Sequence, residues 1–271
     1  MVATARPLPN APMLIAGREE RTVAIVADLH LGLASGPENP LGPPGASAPE
    51  LAEDLLRLCD RGHARKLLVA GDVKHPVVGV PGWLRPVVFD LFSTLLAAGV
   101  MPEVVLGNHD VGLAPHLPRE VQVHSSAGWS GAGVGVFHGH RWPSTAVLDQ
   151  RTIVAGHLHP GFRFAPTAEA PQDKRRCWVR VEFHDGPGLA RPDGRGTRTR
   201  ELIVLPPFHP LAGVEALNRE RPERNRTFLY HRFLERGRAR AYLLDGTDLG
   251  PLPSPGATAP AGADRPAPSA R

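Results

Sequence analysis

Five short apolar runs in this chain end alike, each giving way to aspartate, asparagine or histidine: "VAIVADLH", "KLLVAGD", "EVVLGNHD", "GVGVFHGH" and "TIVAGHLH". No other feature restricts the fold as strongly. Runs of this length, rich in Val and bounded by Gly, read as buried strands. Between the first three lie segments with helical spacing. In "SAPELAEDLLRLCDRG", Ser47 and Glu50 have capping-box spacing, Leu51, Leu55 and Leu58 form a stripe, and Gly62 is the stop. "WLRPVVFDLFSTLLAAGV" reads as a helix after Pro86. The alternation predicts an α/β layered fold. Further strands are expected at 133–137, 152–155, 177–183, 201–205 and 240–244, with fewer helices between them.

In an α/β sheet the carboxyl ends of the strands form the rim where ligand sites assemble. That rim would carry Asp28, His30, Asp72, Asn108, His109, His138, His157 and His159. Residues i and i+2 of an extended segment point the same way, so Asp28 with His30, and His157 with His159, should each aim two groups at one place. Leaving His109 aside, the set offers carboxylate, amide and imidazole donors and no thiolate, a mix suited to Mn, Fe or Zn. Seven donors exceed the four that a tetrahedral zinc takes, so a pair of ions is the economical reading. A lone histidine at a strand end is ordinarily a satisfied surface or core residue; five successive clusters are not explained that way.

Composition narrows the class. Hydrophobic residues make up 42%, enough for a core, while 30 Pro and 29 Gly imply many loops. The two cysteines, Cys59 and Cys177, are far apart and fit no zinc or disulfide spacing. The N-terminus lacks an apolar signal region, and no run approaches the roughly 20 residues of a membrane helix. A cytoplasmic protein with no membrane partner is expected. Residues 1–20 are expected to be a flexible segment, residues 21–249 one domain with an Arg-rich insert near 165–200, and residues 250–271 a disordered Pro/Ala-rich tail. The net charge of +4 is uneven: residues 174–200 and 218–240 each hold eight basic against three acidic side chains. Such bias suggests an anionic partner, although arginines in solvent-facing loops would give the same count.

The set "DLH", "GD", "GNHD", "HG" and "GHLH", over residues 28–159, resembles the calcineurin-like metallophosphoesterase superfamily. "GDVKH", "HGHRWP", "GHLHPG" and "LPPFHPLAGVEALN" are similar to the SbcD-related and ligase-associated phosphoesterases. The resemblance implies two mixed β-sheets packed face to face and flanked by helices, a four-layer sandwich. It implies two divalent ions, Mn first, with Fe, Zn or Ni as alternatives. Asp28, His30 and His159 would hold one ion, Asn108, His138 and His157 the other, with Asp72 bridging. A hydroxide shared by the ions would attack phosphorus, His109 would act as the catalytic acid or charge stabiliser, and Asp110 would fix its tautomer. His75, His140 and Arg141 are the side chains offered to the phosphoester, with Lys74 beside them; each has a plain alternative as a loop residue. His209 is a further residue that would close over the site, although the prolines beside it suggest a turn first. The implied activity is hydrolysis of phosphodiesters, with DNA or RNA among the substrates. A small-molecule phosphoesterase is the alternative, and a non-catalytic binding module is disfavoured because no ligand position is lost.

Overall fold

The computed structural model describes residues 5–165, 173–184, 199–219 and 238–252. Its first half contains β1 (Arg6–Pro7), β2 (Leu14–Ala16), β3 (Val23–Val26), helix α1 (Ala48–Arg61), β4 (Lys66–Ala70), helix α2 (Leu84–Ala97), β5 (Met101–Val105) and β6 (Gln122–His124). These six strands form one sheet in sequence order, antiparallel at β1, β2 and β3 and parallel from β3 to β6. The second half supplies β7 (Trp129–Gly131), β8 (Val134–Phe137), helix α3 (Thr145–Leu148), β9 (Thr152–Ala155), β10 (Pro160–Arg163), β11 (Lys174–His184), β12 (Thr199–Val204), β13 (Glu215–Ala216), β14 (Arg238–Leu243) and β15 (Asp248–Pro251). They form a nine-stranded mixed sheet in which β8, β9 and β12 run parallel.

The chain is therefore an α/β sandwich of two mixed sheets. Alternate residues of β3 serve different cores: Ala24 and Val26 face α1 and α2, while Val23 and Ile25 face the second sheet. The same split occurs in β4, and in β9 between the inter-sheet core and the far side of the second sheet. Burial on both faces is why these strands read as continuous apolar runs. Helix α1 begins as its sequence requires, with Ser47 and Glu50 closing a capping box and Leu51, Leu55 and Leu58 buried. Among the described residues only the short α3 covers the second sheet as a helix, and none is long and apolar enough to cross a membrane.

The N-terminal segment corrects an expectation. Residues 1–20 read as flexible, yet β1 and β2 extend the first sheet and Leu8, Met13, Leu14 and Ile15 are almost wholly buried. A two-strand antiparallel extension completes an edge that would otherwise expose unpaired amides. Leu14→Ala should cost about 2–5 kcal/mol in reversible denaturant unfolding, the range for a buried leucine. A loose terminus would give a change below about 0.5 kcal/mol. At the other end, Asp248–Pro251 pairs with β14, so the tail begins later than Gly250; residues 253–271 lie outside the described residues.

Candidate metal centre

Loops leaving β3, β4 and β5 in one sheet, and β8 and β9 in the other, converge at one place. They do not converge by the extended geometry that the i, i+2 spacing implied. Asp28, His30, Asp72, His157 and His159 all have left-handed backbones, with φ of 59°, 43°, 53°, 71° and 45°. For residues with a Cβ this costs roughly 1–2 kcal/mol each and persists only where surroundings enforce it. Between the paired polar residues, Leu29 and Leu158 anchor each loop in a separate core. Backbone pairing continues past the strand ends: Asp28 N–H donates to Gly71 O at 3.0 Å, and His30 N–H to Asp72 O at 2.9 Å. Two glycines make room. A Cβ on Gly107 would lie 2.2 Å from Asp72 Oδ1, and one on Gly71 2.4 Å from the His138 ring.

Asp28, His30 and His159 bring ligand atoms within 4.8 Å of one another, as do Asp72, His138 and His157. Asn108 joins the second group, its Oδ1 3.1 Å from His138 Nε2. Asp72 stands between the groups: its Oδ2 is 3.2 Å from His138 Nε2 and 4.0 Å from His30 Nε2. The imidazoles are oriented by backbone carbonyls. His138 Nδ1 donates to Ala70 O at 2.8 Å, and His159 Nδ1 to Gly213 O at 3.0 Å. Each ring then turns Nε2 inward, toward acceptors. His138 Nε2 faces the Asp72 and Asn108 oxygens; His159 Nε2 lies 3.4 Å from Asp28 Oδ1 and 3.0 Å from His30 Nε2. Lone pairs facing oxygens repel unless a positive charge lies between them.

The titration pattern follows from that arrangement. Burial resists ionisation of Asp72, but hydrogen bonds and charge from His138 and His109 outweigh it and hold the carboxyl well below the usual range. Burial favours a neutral His138, yet Asp72 and Asp28 overcome it and push the ring up to about 9. His159 is likewise raised against burial, mainly by Asp28. His30 and His157 fall to about 4, chiefly through burial, and stay neutral. A proton on the paired imidazoles thus supplies the cation that the two buried carboxylates demand.

His109 is half-buried; its N–H donates to Asp72 Oδ1 at 2.9 Å, and its Nε2 is 3.8 Å from Asp72 Oδ2. Its Nδ1 donates to the carbonyl of His75, so this carbonyl fixes the tautomer. The expected role of Asp110 is corrected accordingly. Asp110 accepts from Val73 N–H at 2.9 Å, Lys74 N–H at 3.4 Å and Gly107 N–H at 2.8 Å, tying the loop after β4 to the loop after β5. Lys74 is also turned inward, its ammonium donating to the carbonyls of Pro76 and His109.

His75 is exposed beside the His30 and His109 rings. His140 lies 5.3 Å from His138 and 6.2 Å from His157 between ring centroids, and burial lowers it to about 4. Arg141 is exposed and donates to Ser126 Oγ at 3.2 Å, and its charge adds to the lowering of the neighbouring His140. His209 opens a turn, as its prolines suggested. Its N–H donates to Asp28 O at 3.2 Å, and its Nδ1 accepts from Leu211 N–H at 3.1 Å. The loop from β12 to β13, on which His209 lies, reaches the centre also through its main chain. It supplies the Gly213 carbonyl under His159, and no side-chain signal marks such a carbonyl.

Four described arginines of the basic segments are engaged within the fold. Arg175 pairs with Asp173, Arg180 with Glu201 and Arg240 with Asp248, while Arg176 donates to the carbonyls of Pro207 and Phe208. Residues 185–198 and 220–237, which hold eight of the sixteen basic and five of the six acidic side chains of these segments, lie outside the described residues.

No protein-family model matches the chain, and no curated protein matches it by sequence. Among solved structures, the crystal structure of the Pseudomonas putida nuclease MPE matches with a TM-score of 0.52 and 18% identity. The match covers 91% of this chain and 100% of that one. Identity at that level speaks for the fold alone: this chain shares its two-sheet architecture with a protein described as a nuclease.

Proposed function

We propose that the chain is a two-ion phosphoesterase acting on phosphodiesters, nucleic acid included. The observation that carries the reading is the inward Nε2 of His138, with its other nitrogen committed to Ala70 O and two oxygens, from Asp72 and Asn108, converging on it. Asp28, His30 and His159 would hold one divalent ion, Asn108, His138 and His157 the other, and Asp72 would be shared. Manganese suits the mixture of carboxylate, amide and imidazole donors. Two such ions would supply Lewis acidity toward a phosphoryl group and a water acidic enough to deprotonate near neutral pH.

The chain's own part is orientation and proton handling. With Nδ1–H held by the His75 carbonyl, His109 carries any second proton on Nε2, the atom turned toward Asp72. A proton there can be donated to the leaving oxygen as the ester bond breaks. Asp72 Oδ1 grips the His109 backbone, so the acid and the shared carboxylate keep a fixed spacing. His75 and His140 lie on opposite sides of the cluster and could accept or donate to the ester oxygens. A small phosphoester is the second reading. It is favoured by the carboxylate partners of Arg175, Arg180 and Arg240, which leave those cations less free for a polyanion.

The test is a panel run on metal-stripped, Mn-reloaded protein with a chromogenic diester, a phosphomonoester, cyclic nucleotides, and single-stranded and duplex DNA. Hydrolysis that needs Mn and is stopped by chelator is expected, with diesters preferred. Turnover surviving exhaustive chelation would sink the two-ion reading; monoester preference would promote the second one.

A further inference from the structure

One group of imidazoles shares His30 with the first half of that centre and adds two rings that belong to neither half. His30, His75 and His109 bring ligand atoms within 4.8 Å of one another and include no carboxylate. Their ring centroids are 5.3 Å (His30–His75), 5.0 Å (His30–His109) and 5.7 Å (His75–His109) apart. Since His109 Nδ1 is bound to the His75 carbonyl, the atom His109 offers is Nε2. His30 has a buried Nδ1 without a hydrogen-bond partner among the described residues. Exposure rises from buried His30 through half-buried His109 to exposed His75, so the group opens outward and an ion can reach it from solvent.

We infer that His30, His75 and His109 form an inhibitory zinc position at the mouth of the centre. Three imidazoles, with Asp72 Oδ2 standing off at 3.8 Å from His109 Nε2 and 4.0 Å from His30 Nε2, make a poor site for Mn, which sits at the weak end of the divalent series and prefers oxygen donors. Zinc accepts three histidines readily and keeps a fourth position for solvent. The two groups containing Asp28 and Asp72 do not discriminate in this way. Zinc at the mouth would capture His109 Nε2, the atom that would otherwise hold the transferable proton. It would also compete for His30 with the first ion. The ion position rests on the imidazole geometry; the inhibitory consequence rests on the phosphoesterase reading.

The experiment uses the full chain. Crystals grown with Mn are soaked in zinc, and anomalous scattering is collected at the zinc edge. In parallel, zinc inhibition of the Mn-loaded protein is titrated for wild type and His75→Ala, each against its own uninhibited rate. His75 is exposed and its carbonyl survives the substitution, so the orientation of His109 is kept. A zinc peak at ligand distance from the His75 and His109 rings is expected, and His75→Ala should need about tenfold more zinc or higher for the same inhibition, since losing even an outer partner of a metal costs 10–100-fold in affinity. Absence of that peak, or equal zinc sensitivity in the variant, overturns the inference. A peak in a protein that hydrolyses nothing supports the zinc position and overturns only the phosphoesterase reading.

Discussion

Asp72→Asn should abolish turnover and strip the protein of most of its bound metal. An amide keeps the shape of the side chain and the Oδ1 contact to the His109 N–H, but it removes the charge that both ligand groups share. In wild type, that charge raises His138 and holds a proton on it in the metal-free state. Below about 9 the proton must leave before a metal can take Nε2, so loading should release protons and grow tighter as pH rises from about 6 toward 9. In the variant, burial of His138 is no longer offset by the Asp72 carboxylate, so its proton is lost at lower pH and less is released on loading. The checks are metal content by elemental analysis and proton release by calorimetry in buffers of different ionisation enthalpy. Full metal content with normal turnover would remove Asp72 from the bridge.

His109→Ala should lower turnover by about 10²–10⁴-fold, the usual worth of a positioned acid or base, while both metal equivalents remain bound. The ring donates to a backbone carbonyl and lies beside Asp72 without belonging to either carboxylate-containing group. A substrate with a strongly acidic leaving group needs no proton, so the loss should shrink sharply for a nitrophenyl diester compared with an alkyl or nucleotide diester. Metal loss equal to that of His157→Ala would instead make His109 a support for the ions.

Much of this was legible before the structure. Apolar runs ending in Asp, Asn or His marked the strand ends, and α1 carried its own start signal in Ser47 and Glu50. What escaped has physical reasons. β1 and β2 lie among prolines, and a run as short as Leu14–Ala16 says little about whether it pairs. The left-handed backbone at Asp28, His30, His157 and His159 is enforced by neighbouring loops, and nothing local distinguishes it from an extended turn. Asp110 looked like a partner for the adjacent ring because sequence displays side chains. The actual partner is the main-chain carbonyl of His75, 34 positions earlier. Likewise the basic excess around Arg180 ignored Glu201, which only the pairing of β11 with β12 brings alongside.

The division of the candidate metal-binding residues between two sheets has a consequence during synthesis. His30 and His159 are 129 residues apart, so at about 5–20 residues per second roughly ten seconds separate their emergence from the ribosome. For the later part of that interval, once Asp72 has emerged, the nascent first sheet holds Asp28 and Asp72 without the imidazoles of the second half, and the two carboxylates repel each other. A divalent ion captured early by the carboxylates would relieve the repulsion and draw the later strands in. Metal scarcity in the cell would then show first as slow maturation of new chains, while protein already loaded kept working.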